Sequence, residues 1–297
     1  MGDVTAGFSN FSHLRRMTEI LGQLMKSILL SFTLLFAFSA AAQDWAKAKI
    51  ESSPRHHEWV KVKHGDREVD CYITYPEVKD KAPAVLVIHE IFGLTDWARS
   101  VTDELAEAGY IAIEPDLLSG MAPGGGGTAE LGGQDNVTRA IGKLPPDQIT
   151  ADLDAVAKYV SELPACNGKI VVAGFCWGGG QSFRYAANNK DLKAAFVFYG
   201  TPPSAAEMAK INCPVYGFYG GNDARVTQTV PKATEEMKAA NKTYEPVTYE
   251  GAGHGFMRAG EQPENPAANK KAHDDAVANK KAHDDAWTRW KELLKKI

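Results

Sequence analysis

The stretch "VVAGFCWGGG", Val171 to Gly180, runs from an apolar β-branched segment into three glycines, with a cysteine at the junction. A buried strand, then G-x-nucleophile-x-G, then a helix is the pattern of a nucleophile elbow, in which the reactive residue sits on a tight strand-to-helix turn. Gly174 and Gly178 suit such a turn, where neighbouring side chains would collide. The turn would lift Cys176 to the carboxyl edge of a sheet and to the N-terminus of a helix, whose dipole favours the thiolate. The plain alternative is a buried, small apolar cysteine, a common role for that residue.

The segments around the elbow alternate between strand-like and helix-like. "EWVKVKH" and "REVDCYITYP" alternate apolar and polar residues, as half-buried antiparallel strands do. "APAVLVIHE" opens on a continuous apolar run, as expected of a strand covered on both faces, and "IAIEPDLL" reads as the next buried strand. "WARSVTDELAEAGY" and "DQITADLDAVAKYVSEL" have the helical period. After the elbow come a helix toward Asn188, the strands "KAAFVFYG" and "PVYGFYGG", the helix "VPKATEEMKAANK" and the strand "EPVTYEGAGHGF". This predicts an α/β domain over residues 58–297, with a mostly parallel central sheet, antiparallel edge strands and helices on both faces. Residues 119–146 are dense in glycine and proline and read as a long loop, with room for one short helix. Its four consecutive glycines, Gly124–Gly127, lack the G-K-[ST] sequel of a phosphate cradle.

If Cys176 reacts, an acid and a histidine should follow, each in the loop after a later strand. Asp223 follows "PVYGFYGGN" and His254 follows "EPVTYEGAG". His254 is then the base or the imidazolium partner of Cys176, and Asp223 orients its ring. Singly, Asp223 is also a turn residue and His254 a loop histidine; the ordered trio is what points to catalysis. "HEIFGL", His89–Leu94, ends the buried strand before the first helix of the sheet, where a second oxyanion donor belongs. The backbone N–H groups of Ile91 and Trp177 are the expected oxyanion hole. Glu90 places a carboxylate at the mouth of that strand, within reach of the nucleophile; otherwise it is a loop glutamate paired to a surface lysine.

"VIHEIFGL", "GFCWGG", "YGGND" and "GHGFMR" together resemble the motifs of the dienelactone hydrolase (carboxymethylenebutenolidase) family, of the α/β-hydrolase fold. The resemblance covers roughly Glu58 to Ile297 and implies a Cys176–His254–Asp223 triad that opens an enol-lactone without a cofactor or metal. It implies that Glu90 keeps the resting thiol uncharged and takes its proton when substrate arrives, and that Arg258 grips a substrate carboxylate. One position departs: a second carboxylate-binding arginine, in a D-L-Y-A-R run in the family, is replaced by Gly120 in "DLLSG". Arg139, in the insert that follows, is the candidate to take its place.

The bulk properties narrow the partners. A chain of 297 residues that is 44% hydrophobic buries a full core without disulfides or metals. A net charge of -4 and the lack of any basic stripe exclude a nucleic-acid partner. Met25-Lys26, the apolar run Ile28–Phe38 and "SAAAQ" read as a signal peptide cut after Ala42, with residues 1–24 an over-extended start. The apolar run is too short for a stable membrane anchor, so the mature protein is expected to be exported, to the periplasm in a bacterial cell. Residues 43–57 are expected to be a linker. Of the four cysteines, Cys166 and Cys213 both precede strands, which leaves a disulfide between them open. The tandem "ANKKAHDDAV" and "ANKKAHDDAW", Ala268–Trp287, look like ligand sets on paper. On one helix the copies lie about 15 Å apart and are turned by roughly 80°, so a duplicated, solvated helix is expected rather than a metal site.

Three functions fit. The first is a hydrolase that cleaves an ester or enol-lactone of a small acidic substrate through a cysteine acyl-enzyme. The second is a general small-ester or thioester hydrolase, and the third is a non-catalytic ligand-binding scaffold.

Overall fold

The chain enters its sheet as an antiparallel hairpin of β1 (His57–His64) and β2 (Arg67–Thr74). In this computed structural model, which describes residues 44–262 and 270–297, six more strands complete the sheet. They are β3 (Ala82–Ile88), β4 (Ile111–Pro115), β5 (Cys166–Phe175), β6 (Ala195–Phe198), β7 (Val215–Gly220) and β8 (Tyr244–Tyr249). The order is β1-β2-β4-β3-β5-β6-β7-β8; β2 pairs antiparallel with β4, and every later pair is parallel. The expected signal peptide lies outside the described residues. Among those described, no helix is long and apolar enough to cross a membrane.

The helices, in chain order, are α1 (Asp44–Glu51), α2 (Asp96–Glu107), α3 (Gln134–Ile141), α4 (Pro146–Glu162), α5 (Trp177–Asn188), α6 (Ala205–Met208), α7 (Ala224–Thr227), α8 (Val230–Ala239), α9 (Phe256–Glu261) and α10 (Lys270–Leu294). The segment expected as a linker carries α1. Ala46 and Ile50, four residues apart on one helix face, are both buried. The glycine-rich insert holds a 3-10 turn, Thr128–Leu131, and α3. It is tied down where Asp116, at the end of β4, accepts from the Thr128 amide at 2.7 Å and its hydroxyl at 2.8 Å.

The period-2 alternation of the strands separates two cores. Ile170 and Val172 of β5, Ala195 and Val197 of β6 and Val215 of β7 join the aliphatic core that also takes in Val156 and Val160 of α4 and Phe183 of α5. The intervening residues Phe175, Phe198 and Phe218 stack across neighbouring strands on the other face, with ring centroids 4.7 and 4.3 Å apart. Trp290 of α10 covers Phe198 at 4.8 Å, and Trp97 of α2 meets the edge of Phe175 at 5.2 Å.

The chain order reverses at β3, which has β4 on one side and β5 on the other. A crevice at the carboxyl ends of strands forms at such a switch point. Ile88 and Gly174 are paired at these ends, so the "HEIFGL" loop and the Cys176 elbow emerge side by side. The elbow leaves no room for side chains: a Cβ on Gly178 would stand 2.3 Å from the carbonyl oxygens of Ile88 and His89. Gly180, two residues on, would make only an ordinary 3.5 Å contact with Thr201. Gly178→Ala should therefore lower stability by about 3 kcal/mol, whereas Gly180→Ala should raise it by about 0.5 kcal/mol through helix propensity. Urea unfolding of both variants checks this, and equal midpoints would contradict it.

Candidate active site

Cys176 stands between β5 and α5 with φ 56 and ψ -117, a conformation that residues bearing a Cβ rarely adopt. Its own backbone holds it there: its N–H donates to the Phe198 carbonyl at 3.0 Å and its carbonyl accepts from Gly180 at 3.2 Å. The side chain is thereby aimed into a cavity of about 480 Å³. His254, in the loop after β8, brings Nε2 to 3.1 Å from the sulfur. Asp223, buried in the loop after β7, brings Oδ2 to 2.5 Å from His254 Nδ1.

Burial disfavours a charged His254 ring, but the hydrogen bonds to Cys176 and Asp223 and the charges of both outweigh it, raising the imidazole from 6.5 to about 9. At neutral pH both ring nitrogens carry protons, one facing the sulfur and one facing the carboxylate. Tyr199, itself at φ 42, sets its ring edge-on to His254 at 5.1 Å and lines the same cavity.

Ile91 and Trp177 also line the cavity, and among the described residues neither backbone N–H is spent on a protein acceptor. Trp177 opens α5, so its amide is one of the free donors of a helix start. Beneath it, the fully buried His89 stacks on the indole at 5.5 Å, and burial holds that imidazole neutral. Glu90 is 3% exposed and its Oε2 accepts from Arg258 Nε at 2.8 Å. Burial disfavours charge on Arg258 as well, but the Glu90 carboxylate outweighs it. The guanidinium also lies over the Phe92 ring at 5.2 Å.

The family model described as "Dienelactone hydrolase family" matches residues 69–297. The chain belongs to the dienelactone hydrolase family. It is a hydrolase, and its sheet is that of the α/β-hydrolase fold. A Salmonella typhimurium protein named "Putative carboxymethylenebutenolidase" is 34% identical over 203 residues, covering 64% of this chain and 73% of that protein. One of the same name from Saccharolobus solfataricus is 30% identical over 264 residues, 77% of this chain and 95% of that one. The crystal structure of a "Putative Dienelactone Hydrolase" from Klebsiella pneumoniae matches with a TM-score of 0.68 at 27% identity, covering 82% of this chain and 99% of that one.

This dienelactone hydrolase family member brings Cys176, His254, Asp223, Ile91 and Trp177 together as their order in the chain implies. Other expectations change. Glu90 is not on the sulfur; its buried carboxylate is held instead by the opposite charge of Arg258. Arg139 is exposed on α3, donates to Asn136 and does not line the cavity. Arg258 does not line it either; the cavity's arginines are Arg184 and Arg225, which sequence reasoning passed over. Arg184 was legible in principle, since Trp177, Gly180, Gln181 and Arg184 share one helix face by their spacing, and all four line the cavity. Cys166 and Cys213 are free. They belong to the starts of strands on either side of β6, about 10 Å apart by strand spacing and beyond disulfide reach.

The side chains that come closest to a metal-ligand set among the described residues are Glu104, Glu261 and His283. Lys49 already supplies a cation there, bonded to Glu104 and lying 3.2 Å from Glu261.

With its pKa raised in the fold, the charged His254 ring adds stability fully below pH 6.5, and that contribution is lost as pH rises through about 9. In histidine-labelled protein the His254 NMR resonance should titrate near 9, and Cys176→Ala should move it down toward 6.5. A wild-type midpoint at or below 6.5 contradicts the pairing.

Proposed function

We propose that the protein hydrolyses an ester or enol-lactone bond of a small acidic substrate through an acyl-enzyme on Cys176. The observation that carries this reading is the unbroken line from Asp223 Oδ2 through the His254 ring to Cys176 Sγ, at 2.5 and 3.1 Å. An imidazolium facing the sulfur lets it attack as the thiolate, the nucleophilic form of cysteine. The S–C bond forms, and the N–H groups of Ile91 and Trp177 take up the charge that develops on the carbonyl oxygen. The ester C–O bond then breaks, and the leaving oxygen receives the proton of His254 Nε2. A water molecule next gives its proton to the neutral ring and attacks the thioester, which releases the acid and restores the ion pair. Asp223 keeps the ring oriented through both halves.

Glu90, paired to Arg258 beside the nucleophile, adds no net charge there while the pair is intact. The absence of an arginine at Gly120 favours a second reading, a general small-ester or thioester hydrolase. Comparing cis- and trans-dienelactone with neutral short-chain esters separates the two. Cys176→Ala should lower kcat by about a thousandfold or more with an unchanged circular dichroism spectrum. The wild type incubated with an activated ester should gain one acyl mass on the peptide bearing Cys176. Turnover by the alanine variant at the wild-type rate would overturn the triad.

The apolar run Ile28–Phe38 supports the further proposal that the enzyme is exported to the periplasm. N-terminal sequencing of the periplasmic fraction of an expressing bacterium should then begin at Gln43. Full-length protein confined to the cytoplasm would refute it.

A further inference from the structure

The cavity that receives Cys176 does not extend toward Arg258. It runs along the exposed face of α5 to the loop after β6 and to α7, and its lining includes Thr201, Pro202, Glu207 and Val226. Two cations stand on that wall, Arg184 and Arg225. Arg184 is half-buried and donates through Nε to Gln181 at 2.9 Å, through Nη1 to Thr150 at 3.0 Å and through Nη2 to the Pro146 carbonyl at 3.0 Å. All three acceptors are uncharged, and they leave donors of the guanidinium unused. Arg225 is exposed, and among the described residues its side chain has neither a hydrogen bond nor an ion pair. The carboxylate on this wall, Glu207, is occupied by the Ser204 amide at 2.9 Å and the Ser204 hydroxyl at 2.6 Å. Neither arginine is within 4 Å of a carboxylate among the described residues.

We infer that Arg225, with Arg184 beside it, binds a carboxylate of the substrate remote from the scissile bond and so sets the enzyme's preference for acidic esters. This rests on the hydrolase reading above and names the residues that select the substrate for it. Arg225 lies two residues after Asp223, on the short helix that Asp223 begins, so its position relative to the triad is fixed by the same turn. Arg184 is anchored at a second point by hydrogen bonds to Thr150 and to Pro146 at the start of α4. An anion at the wall meets one exposed and one held guanidinium, the second already stripped of part of its water. Arg258, with its Nε on Glu90, is already paired to that carboxylate and stands outside the lining.

The test compares mono-4-nitrophenyl glutarate, which carries a carboxylate on its acyl chain, with 4-nitrophenyl acetate. The readout is the ratio of their kcat/KM values in wild type, Arg225→Ala and Arg225→Lys. The wild-type ratio should favour the glutarate, and Arg225→Ala should lower it about tenfold, as expected for loss of a solvent-facing charge-assisted contact. Arg225→Lys should recover part of the ratio, and added salt should lower it in wild type far more than in the alanine variant. An unchanged ratio in Arg225→Ala, or an equal fall for both substrates, overturns the inference while leaving the hydrolase reading standing. Failure of wild type to turn over either ester overturns the hydrolase reading itself.

Discussion

The positive φ of Cys176 is the constraint on which the rest of the site depends. A residue with a Cβ in that region costs on the order of 1–3 kcal/mol and persists only where its surroundings allow no alternative. Here the surroundings are of two kinds. The elbow's amide and carbonyl are both hydrogen-bonded, to Phe198 and Gly180, so the backbone cannot relax without breaking a bond on each side. Below it, Phe175 is enclosed by Phe198, Trp97 and Trp290, so the end of β5 cannot sink or twist. The aromatic face of the sheet thus fixes the strand end on which the elbow stands.

From that fixed point the charges arrange themselves in pairs. Glu90 with Arg258 and Asp223 with His254 each join an almost fully buried carboxylate to a partly exposed cation, so neither acid is left unpaired in a low-dielectric site. The two cations come from one short piece of chain. His254 is followed by Gly255 at φ 74, which turns the backbone directly into α9, and Arg258 lies one helical turn further. The four-residue spacing of "HGFMR" is therefore the geometric condition for one segment to serve both carboxylates, and Gly255 is the residue that makes the turn possible.

Much of this was legible in the sequence, and the exceptions have physical reasons. The elbow, the strand alternation and the order Cys176, Asp223, His254 are properties of the chain read in one dimension, and they survive folding because each residue sits at the end of its own strand. Partners across the fold are different. Glu90 was placed correctly at the end of β3, but its partner comes from 168 residues away, and no local pattern names it. The sequence leaves Cys166 and Cys213 pairable because both stand at strand starts, but strand order puts β6 between them. Residues 43–57 read as a linker because α1 buries only Ala46 and Ile50, too few positions to show a period. Arg225 was hidden by its neighbour: "GGND" explains itself as a turn carrying the acid, and nothing in it shows which way the next side chains face.

The tandem repeat shows the same limit from the other side. The copies are identical except at their last residue, Val277 in the first and Trp287 in the second. Ten residues turn a helix by roughly 80° short of whole turns, so identical sequence is presented in different directions. Val277 is 56% exposed, whereas Ala282, Ala286 and Trp287 are buried, with Trp287 stacked on Trp290 at 4.7 Å. The second copy thus keeps Lys280, Lys281, Asp284 and Asp285 in solvent, as its composition suggests, and buries its other face in the core. Its His283 lies 3.3 Å from Glu261, which also accepts from Trp97 Nε1 at 3.0 Å and faces Lys49 of α1 at 3.2 Å. Glu261 ends α9, the helix whose Arg258 holds Glu90 beside the nucleophile. Burial disfavours the charged form of His283 but the Glu261 carboxylate outweighs it, so the imidazole, like the ammonium of Lys49, favours a charged Glu261. Val277 and Trp287, the one pair at which the copies differ, thus stand in different surroundings, and the second copy, through His283, helps to hold α9 in place.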